Sequence, residues 1–247
     1  MTRPTAAALA AVLSGTLLAY PAGAQERTIT FSGHEWTVKA ADSRVGPGPN
    51  RFSDGTSSVR VDRRGRLRLR VRPIDGVWHA AEVVSRESFG HGTYRFYLDT
   101  AVDQLDPWVV LGLFTWNDDP VHDHRELDVE FARWGNGADP TNGQFVVQPF
   151  STPGNLVRFT QPARTPRSVQ TFRWGPDGAT FRSVRGRAAD PSDPQRIVFE
   201  WSAPPDAVPP AGGENARINL WLFLGHPPAD GRAVRVVIRR FEFVPDP

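Results

Sequence analysis

This sequence predicts an all-β protein, a sandwich or barrel of antiparallel strands. Short runs of alternating apolar and polar residues recur along it, separated by Gly, Pro, Asn and Asp. No helical periodicity follows the N-terminal apolar segment. One run, Glu126-Leu127-Asp128-Val129-Glu130-Phe131, alternates three carboxylates with three large apolar residues. On a strand the acids line one face and Leu127, Val129 and Phe131 enter a core.

The chain has 247 residues, 39% of them hydrophobic, with 8 Trp and 15 Phe. That supplies one sizeable core, and all-β folds of this length are routinely single domains. Arg3 precedes an apolar run over residues 6–19, then Ala22-Gly23-Ala24. This pattern predicts a secretory signal peptide over residues 1–24, cleaved after Ala24. The run is short for a membrane span and is interrupted by Ser14 and Gly15. Residues 25–247 are then expected to form one exported domain, secreted or periplasmic, with no membrane span. With no cysteine there is neither a disulfide framework nor a thiolate metal site. The formal charge of +2 drops by one when Arg3, the only charged residue of the signal, is removed. A nearly neutral exported chain argues against a nucleic-acid partner. Nothing in the sequence calls for an obligate oligomer, so a monomer is expected.

Taken in order, residues 57–61 and 66–72 flank Asp62-Arg63-Arg64-Gly65, a hairpin pattern. Leu67, Leu69 and Val71 are set for the core and the intervening arginines for water, where charge also protects a sheet edge. Contact with an anionic polysaccharide is the competing reading of those arginines. Strands over 80–86 and 92–98 follow. Residues 108–116 are almost continuously apolar, as in a strand buried on both faces. Residues 125–133 carry the acids. Runs at 143–150, 170–174, 179–184, 196–201, 218–224 and 234–244 bring the set to about a dozen strands, the density of a sandwich or barrel. Residues 134–143 and 202–214 read as Gly/Pro-rich loops within the domain.

Adjacent carboxylates raise one another's pKa values, and folding alone gives little reason to build such a row. Glycosidic bond cleavage does give one, because it needs an acid and a nucleophile. Retaining enzymes hold these about 5–5.5 Å apart and inverting enzymes about 6.5–9.5 Å. Four residues of strand span about 13 Å. Glu126 and Glu130 leaning inward would bring their carboxyl groups to roughly 5–6 Å. That reaches the retaining distance and leaves inversion open. Asp128, between them, helps keep one glutamate protonated. An exposed acidic stripe and an oxygen-ligand calcium site are the rival readings. Trp116, Trp134 and Trp221 lie near strand ends, where they could serve either as core or as platforms for sugar rings.

The acidic run resembles the E-[IL]-D-x-E-F signature of glycoside hydrolase family 16, in the bulge-free form of lichenases and xyloglucan enzymes. Gly48-Pro49-Asn50-Arg51-Phe52 resembles that family's early N-x-F segment. Ala81-Glu82-Val83-Val84-Ser85 with Phe89-Gly90-His91-Gly92-Thr93-Tyr94 resembles its A-E-x-x-S strand pair. Leu113-Phe114-Thr115-Trp116, Gly143-Gln144-Phe145 and Asn219-Leu220-Trp221 echo further strands. The likeness runs from about Phe31 to Pro245. It implies a curved antiparallel β-jelly-roll, concanavalin A-like, with a concave substrate cleft. Glu126 would be the nucleophile, Glu130 the general acid/base and Asp128 the assisting carboxylate. Asn50, Glu82 and Gln144 match sugar-contacting positions, and Trp116 and His124 match cleft aromatics. The chain departs from lichenases at His122-Asp123-His124-Arg125, where a tryptophan is usual, and lacks their cysteine pair. His122 and His124 fit a polar rim better than a metal site.

The expected activity is that of a retaining endo-β-glycan hydrolase on a polysaccharide, with β-1,3- or β-1,3/1,4-glucan the first guess. The alternatives are a glycan-binding jelly-roll module that does not cut, and a transglycosylase using the same residues. No cofactor is expected; a structural calcium on the outer face is left open, with no ligands identified.

Overall fold

The computed structural model describes residues 26–246, so the expected signal segment lies outside the described residues. Strands dominate: β1 (Thr28–Phe31), β2 (His34–Val38), β3 (Ala41–Val45), β4 (Asn50–Phe52), β5 (Val59–Val61), β6 (Leu67–Ile74), β7 (Val77–Ser88), β8 (Gly92–Leu98), β9 (Val109–Trp116), β10 (Leu127–Phe131), β11 (Gly143–Val147), β12 (Leu156–Phe159), β13 (Ser168–Gly175), β14 (Gly178–Arg185), β15 (Ile197–Ser202), β16 (Asn215–Leu222) and β17 (Val234–Pro245). Among the described residues no helix is long and apolar enough to cross a membrane.

The strands form two layers. The front layer runs β1-β2-β7-β16-β9-β10-β11-β12. The back layer runs β5-β6-β17-β8-β13-β14-β15. The β6–β7 hairpin, with Arg72 opposite His79, carries the chain from one layer to the other. All these ladders are antiparallel; β4 alongside β7 is parallel. The result is a curved antiparallel β-jelly-roll, as expected.

Period-two alternation decides which layer face meets the core. Leu127, Val129 and Phe131 of β10, Leu111 and Leu113 of β9, and Ile218 and Leu220 of β16 are all buried between the layers. Aromatic rings close the gap: Phe145 lies 5.3 Å from Phe181, Trp36 5.2 Å from Phe241, and Phe159 stacks on Phe199 at 5.3 Å. Each pair joins one layer to the other. Burying such a ring is worth about 1.5–3 kcal/mol, and the buried indoles of Trp36 and Trp174 still donate to the carbonyls of Phe31 and Pro209.

The hairpin predicted at 62–65 is present. Asp62 Oδ1 accepts from the backbone of Arg64 and Arg66, Arg68 Nε donates to Asp62 Oδ2 at 2.8 Å, and Gly65 adopts φ +71°. Leu67, Leu69 and Val71 are buried, while Arg70 is exposed. Strand β9 is buried on both faces over Val109–Thr115.

Three expectations are corrected. Strands β1 to β4 and β12 were not predicted: they are short and, in β3 (Ala-Asp-Ser-Arg-Val), carry no apolar alternation because the strand is a largely exposed edge. The acidic strand opens at Leu127, not Arg125. His122, Asp123, His124 and Arg125 all have positive φ, between 49° and 61°, and that tight turn delivers Glu126 in extended conformation just ahead of the ladder. The strand expected to reach residue 150 stops at Val147, because Pro149 has no N–H to give to a ladder.

Phe145→Ala removes a ring shared by both layers and should lower unfolding free energy by about 3–5 kcal/mol. Urea titration followed by tryptophan fluorescence measures it.

Candidate active site

The outer, concave face of the front layer is set by the same alternation. Across the strands, Glu82, Asn219, Gly112, Glu130, Gln144 and Arg158 stand side by side on β7, β16, β9, β10, β11 and β12. Gly112 is required in that row. The Asn219 Oδ1 accepts from the Gly112 N–H at 3.1 Å, and a Cβ at Gly112 would lie 2.5 Å from that oxygen. One step along the strands, Arg217, Phe114, Asp128 and Val146 form a second row. Glu126 comes next, its carbonyl accepting from the Gln148 N–H at 3.1 Å. Apart from Val146, these residues floor a trough of 860 Å³, walled by Trp116, Trp134, Trp221 and Phe150. That volume lies toward the upper end of small-molecule sites.

Each carboxylate has a partner of its own. Gln144 Nε2 donates to Glu130 Oε2 at 2.7 Å. Gln144 is oriented in turn by Trp134 Nε1 and Arg158 Nη1, which donate to its Oε1 at 3.2 and 2.9 Å. Gln148 Nε2 donates to Asp128 Oδ2 at 3.1 Å. Asp128 and Glu126 share a hydrogen bond that lowers the Glu126 pKa and raises that of Asp128. Two carboxyl groups can share such a bond only when one holds a proton, so the pair carries a proton between them.

Burial is the largest influence on all three. It pushes Glu126 up to about 8; the Asp128 bond and the Arg217 charge act against that rise, and the charge of Glu130 adds to it. Glu130 is also pushed up to about 8, by burial first and the Asp128 charge second, against Gln144 and Arg158. Asp128, only 3% exposed, is raised well above the ordinary aspartate value by burial and then by Glu126. The row is therefore a buried, partly protonated cluster rather than an exposed acidic stripe. Among the described residues no group of three or more His, Asp or Glu is gathered as a metal site.

The structure brings most of the sequence-nominated residues to the trough. Glu126, Asp128, Glu130, Glu82, Trp116 and Gln144 line it. Glu82 is buried, with Oε2 on Lys39 Nζ at 3.1 Å and Oε1 3.7 Å from Arg217 Nη1. Asn50 and His124 are not among the lining residues. The Asn50 amide is taken up by the Leu222 backbone, donating to its carbonyl at 2.9 Å and accepting from its N–H at 3.2 Å, so it braces the end of β16. His124 stacks on Trp116 with centroids 3.9 Å apart, and its Nδ1 pairs with the Asn117 carbonyl. It covers a face of the tryptophan instead of offering its own ring to the trough. Arg217, Asn219, Arg158 and Gln148 escaped the sequence reading. Alternation in β16 could have found the first two, because Ala216, Ile218 and Leu220 claim the core and leave Arg217, Asn219 and Trp221 on the other face.

No known protein-family model and no curated protein matches this chain. Solved structures do resemble it. A β-glucanase of Bacillus licheniformis superposes with a TM-score of 0.60 at 17% identity, covering 85% of this chain and 92% of its own. A β-1,3-1,4-glucanase (lichenase) from a mouse hindgut metagenome gives 0.58 at 20% identity, covering 85% and 93%. An immunostimulatory antigen and pseudo β-1,3-glucanase of Mycobacterium tuberculosis gives 0.62 at 18% identity, covering 86% and 91%. At such identities the likeness establishes the β-glucanase fold.

The raised Glu130 pKa has a consequence for stability. The folded protein holds a proton there that the unfolded chain releases above about 4.5, so this group's contribution to stability falls as pH rises from about 4.5 to about 8. Glu130→Gln keeps an acceptor for Gln144 without the buried charge. It should be more stable than the parent above pH 8, with the difference fading toward acid. Calorimetry across pH checks the sign.

Proposed function

We propose that this protein is a retaining endo-acting β-glycan hydrolase. The observation that carries the reading is the row Glu126, Asp128, Glu130 on the floor of an aromatic-walled trough. Glu130, held protonated near neutrality, donates to the glycosidic oxygen as the bond breaks. Against its burial, the hydrogen bond with Asp128 and the Arg217 guanidinium favour the anionic form of Glu126; as the carboxylate it attacks the anomeric carbon and forms a covalent glycosyl-enzyme. The Glu130 carboxylate left behind then takes a proton from water, which releases the sugar and restores the starting state. Asp128 supports Glu126 and does not touch the leaving group.

Tryptophan and phenylalanine walls suit the apolar faces of neutral sugars. Phe150, 65% exposed on the wall, offers such a face. The names of the β-glucanase and lichenase structures support β-1,3- or mixed β-1,3/1,4-glucan as the substrate. Export follows from the N-terminal segment, and sequencing the exported protein should find Gln25 first.

A second reading, a glycan-binding module without turnover, is favoured by one fact: a protein of the same fold is named a pseudo β-1,3-glucanase. Transglycosylation would use the same residues and differ in product length.

Reducing-end release from a glucan panel tests the main reading. Glu126→Gln should abolish release while leaving folding and glucan binding intact; residual turnover at the parent rate would refute the assignment, and binding without release by the parent itself would favour the module.

The pH profile tests the acid. Its alkaline limb should fall near 8, where Glu130 loses its proton, well above the ordinary value of 4.5. Gln144 stabilises the charged form, so Gln144→Leu should move that limb to higher pH.

A further inference from the structure

At one end of the back layer, loops 160–167 and 186–196 border a second, open cavity of 610 Å³. Arg164, Arg167, Arg185, Arg187 and Arg196 line it, with Asp193 as the acid among its lining residues. Five cations against one anion leave four positive charges, in a chain whose formal total is +2. No residue is shared with the trough.

Internal pairing hardly neutralises this charge. Arg196 reaches Asp193 only at 3.9 Å and Arg167 reaches Asp99 only at 3.7 Å. Among the described residues Arg164, Arg185 and Arg187 have no acidic partner within salt-bridge distance. Yet the backbone around them is fixed. The Gly186 N–H donates to the Arg167 carbonyl at 2.9 Å and ties the two loops together. Arg185 Nη2 donates to the Gln195 carbonyl at 2.8 Å, and Arg239 Nη2 to that of Arg187 at 3.2 Å. Gly186 has φ +108°, and a Cβ there would lie 3.0 Å from Arg196 Nη1. A glycine is thus what lets that guanidinium lie close over the cavity.

A solvated arginine face would spread its charges over a convex surface. Here five exposed arginines border one open concavity, where an anion would offset their mutual repulsion. Guanidinium forks match carboxylate and sulfate groups bidentately. We propose that this cavity is a second, non-catalytic binding site for the sulfate or carboxylate groups of an acidic polysaccharide. Its lining has no aromatic ring on which bases could stack, whereas single-stranded nucleic-acid sites depend on such rings. The site is independent of the trough's chemistry, since binding is read without turnover.

The test uses the full exported chain, with dextran sulfate and polygalacturonate as probes and neutral dextran as reference, by titration calorimetry at several salt concentrations. The parent should bind at least one acidic polymer, more weakly as salt rises, and neutral dextran not at all. Arg164→Gln/Arg187→Gln alters two exposed side chains and should weaken that binding about tenfold and flatten its salt dependence. The control Arg63→Gln/Arg64→Gln, which removes equal charge from the hairpin tip, should bind as the parent does. Equal weakening in the two variants, undiminished binding by the cavity variant, or tighter binding of a single-stranded oligonucleotide than of either acidic glycan would overturn the proposal.

Discussion

A pleated strand offers two faces that cannot be chosen separately, and β10 uses both to the full. Leu127, Val129 and Phe131 lie fully buried between the layers, and that anchorage holds the intervening acids in a row that electrostatics alone would scatter. A slip of one residue would send three carboxyl groups into a hydrocarbon core and three apolar side chains into the trough. The penalty for such a slip greatly exceeds the repulsion among the acids. Register is therefore the constraint on which the site rests, and the aromatic contacts between the layers enforce it.

The neighbouring strands extend the constraint sideways. Because β7, β16, β9, β11 and β12 keep the same alternation, a single line across the sheet brings Glu82, Asn219, Glu130, Gln144 and Arg158 together from five separated stretches of chain. The groups that modulate the acids arrive by the same route. Gln144 and Arg158 favour the charged form of Glu130, while the hydrogen bond with Asp128 and the Arg217 charge favour that of Glu126. One geometric rule thus yields two glutamates of similar burial but different company.

Much of this could be read from the chain, for a definable reason. The acid row, the β5–β6 hairpin and the doubly buried β9 are local patterns, expressed within a few consecutive residues. Strands β1 to β4 were hidden because they are only three to five residues long and β3 is a largely exposed edge, and the start of β10 because four left-handed residues in succession leave no compositional trace. Asn50 and His124 illustrate a different limit. Their residue types suit sugar contact, but whether an amide faces a ligand or a backbone is decided by Leu222, more than a hundred positions away in the chain. Arg217 and Asn219 were legible in principle, since their own strand alternates as clearly as β10.

The indole N–H of Trp134 donates to Gln144, and Gln144 donates to Glu130. Wall and acid are thus the two ends of one short relay. In a trough that takes glycan, a ring settling on Trp134 would steady the very amide that tunes the proton donor. Occupancy at a distance from the scissile bond would then be felt as reactivity and not merely as adhesion, so that longer oligosaccharides would be cut faster, and not only held better, than those too short to reach the tryptophan.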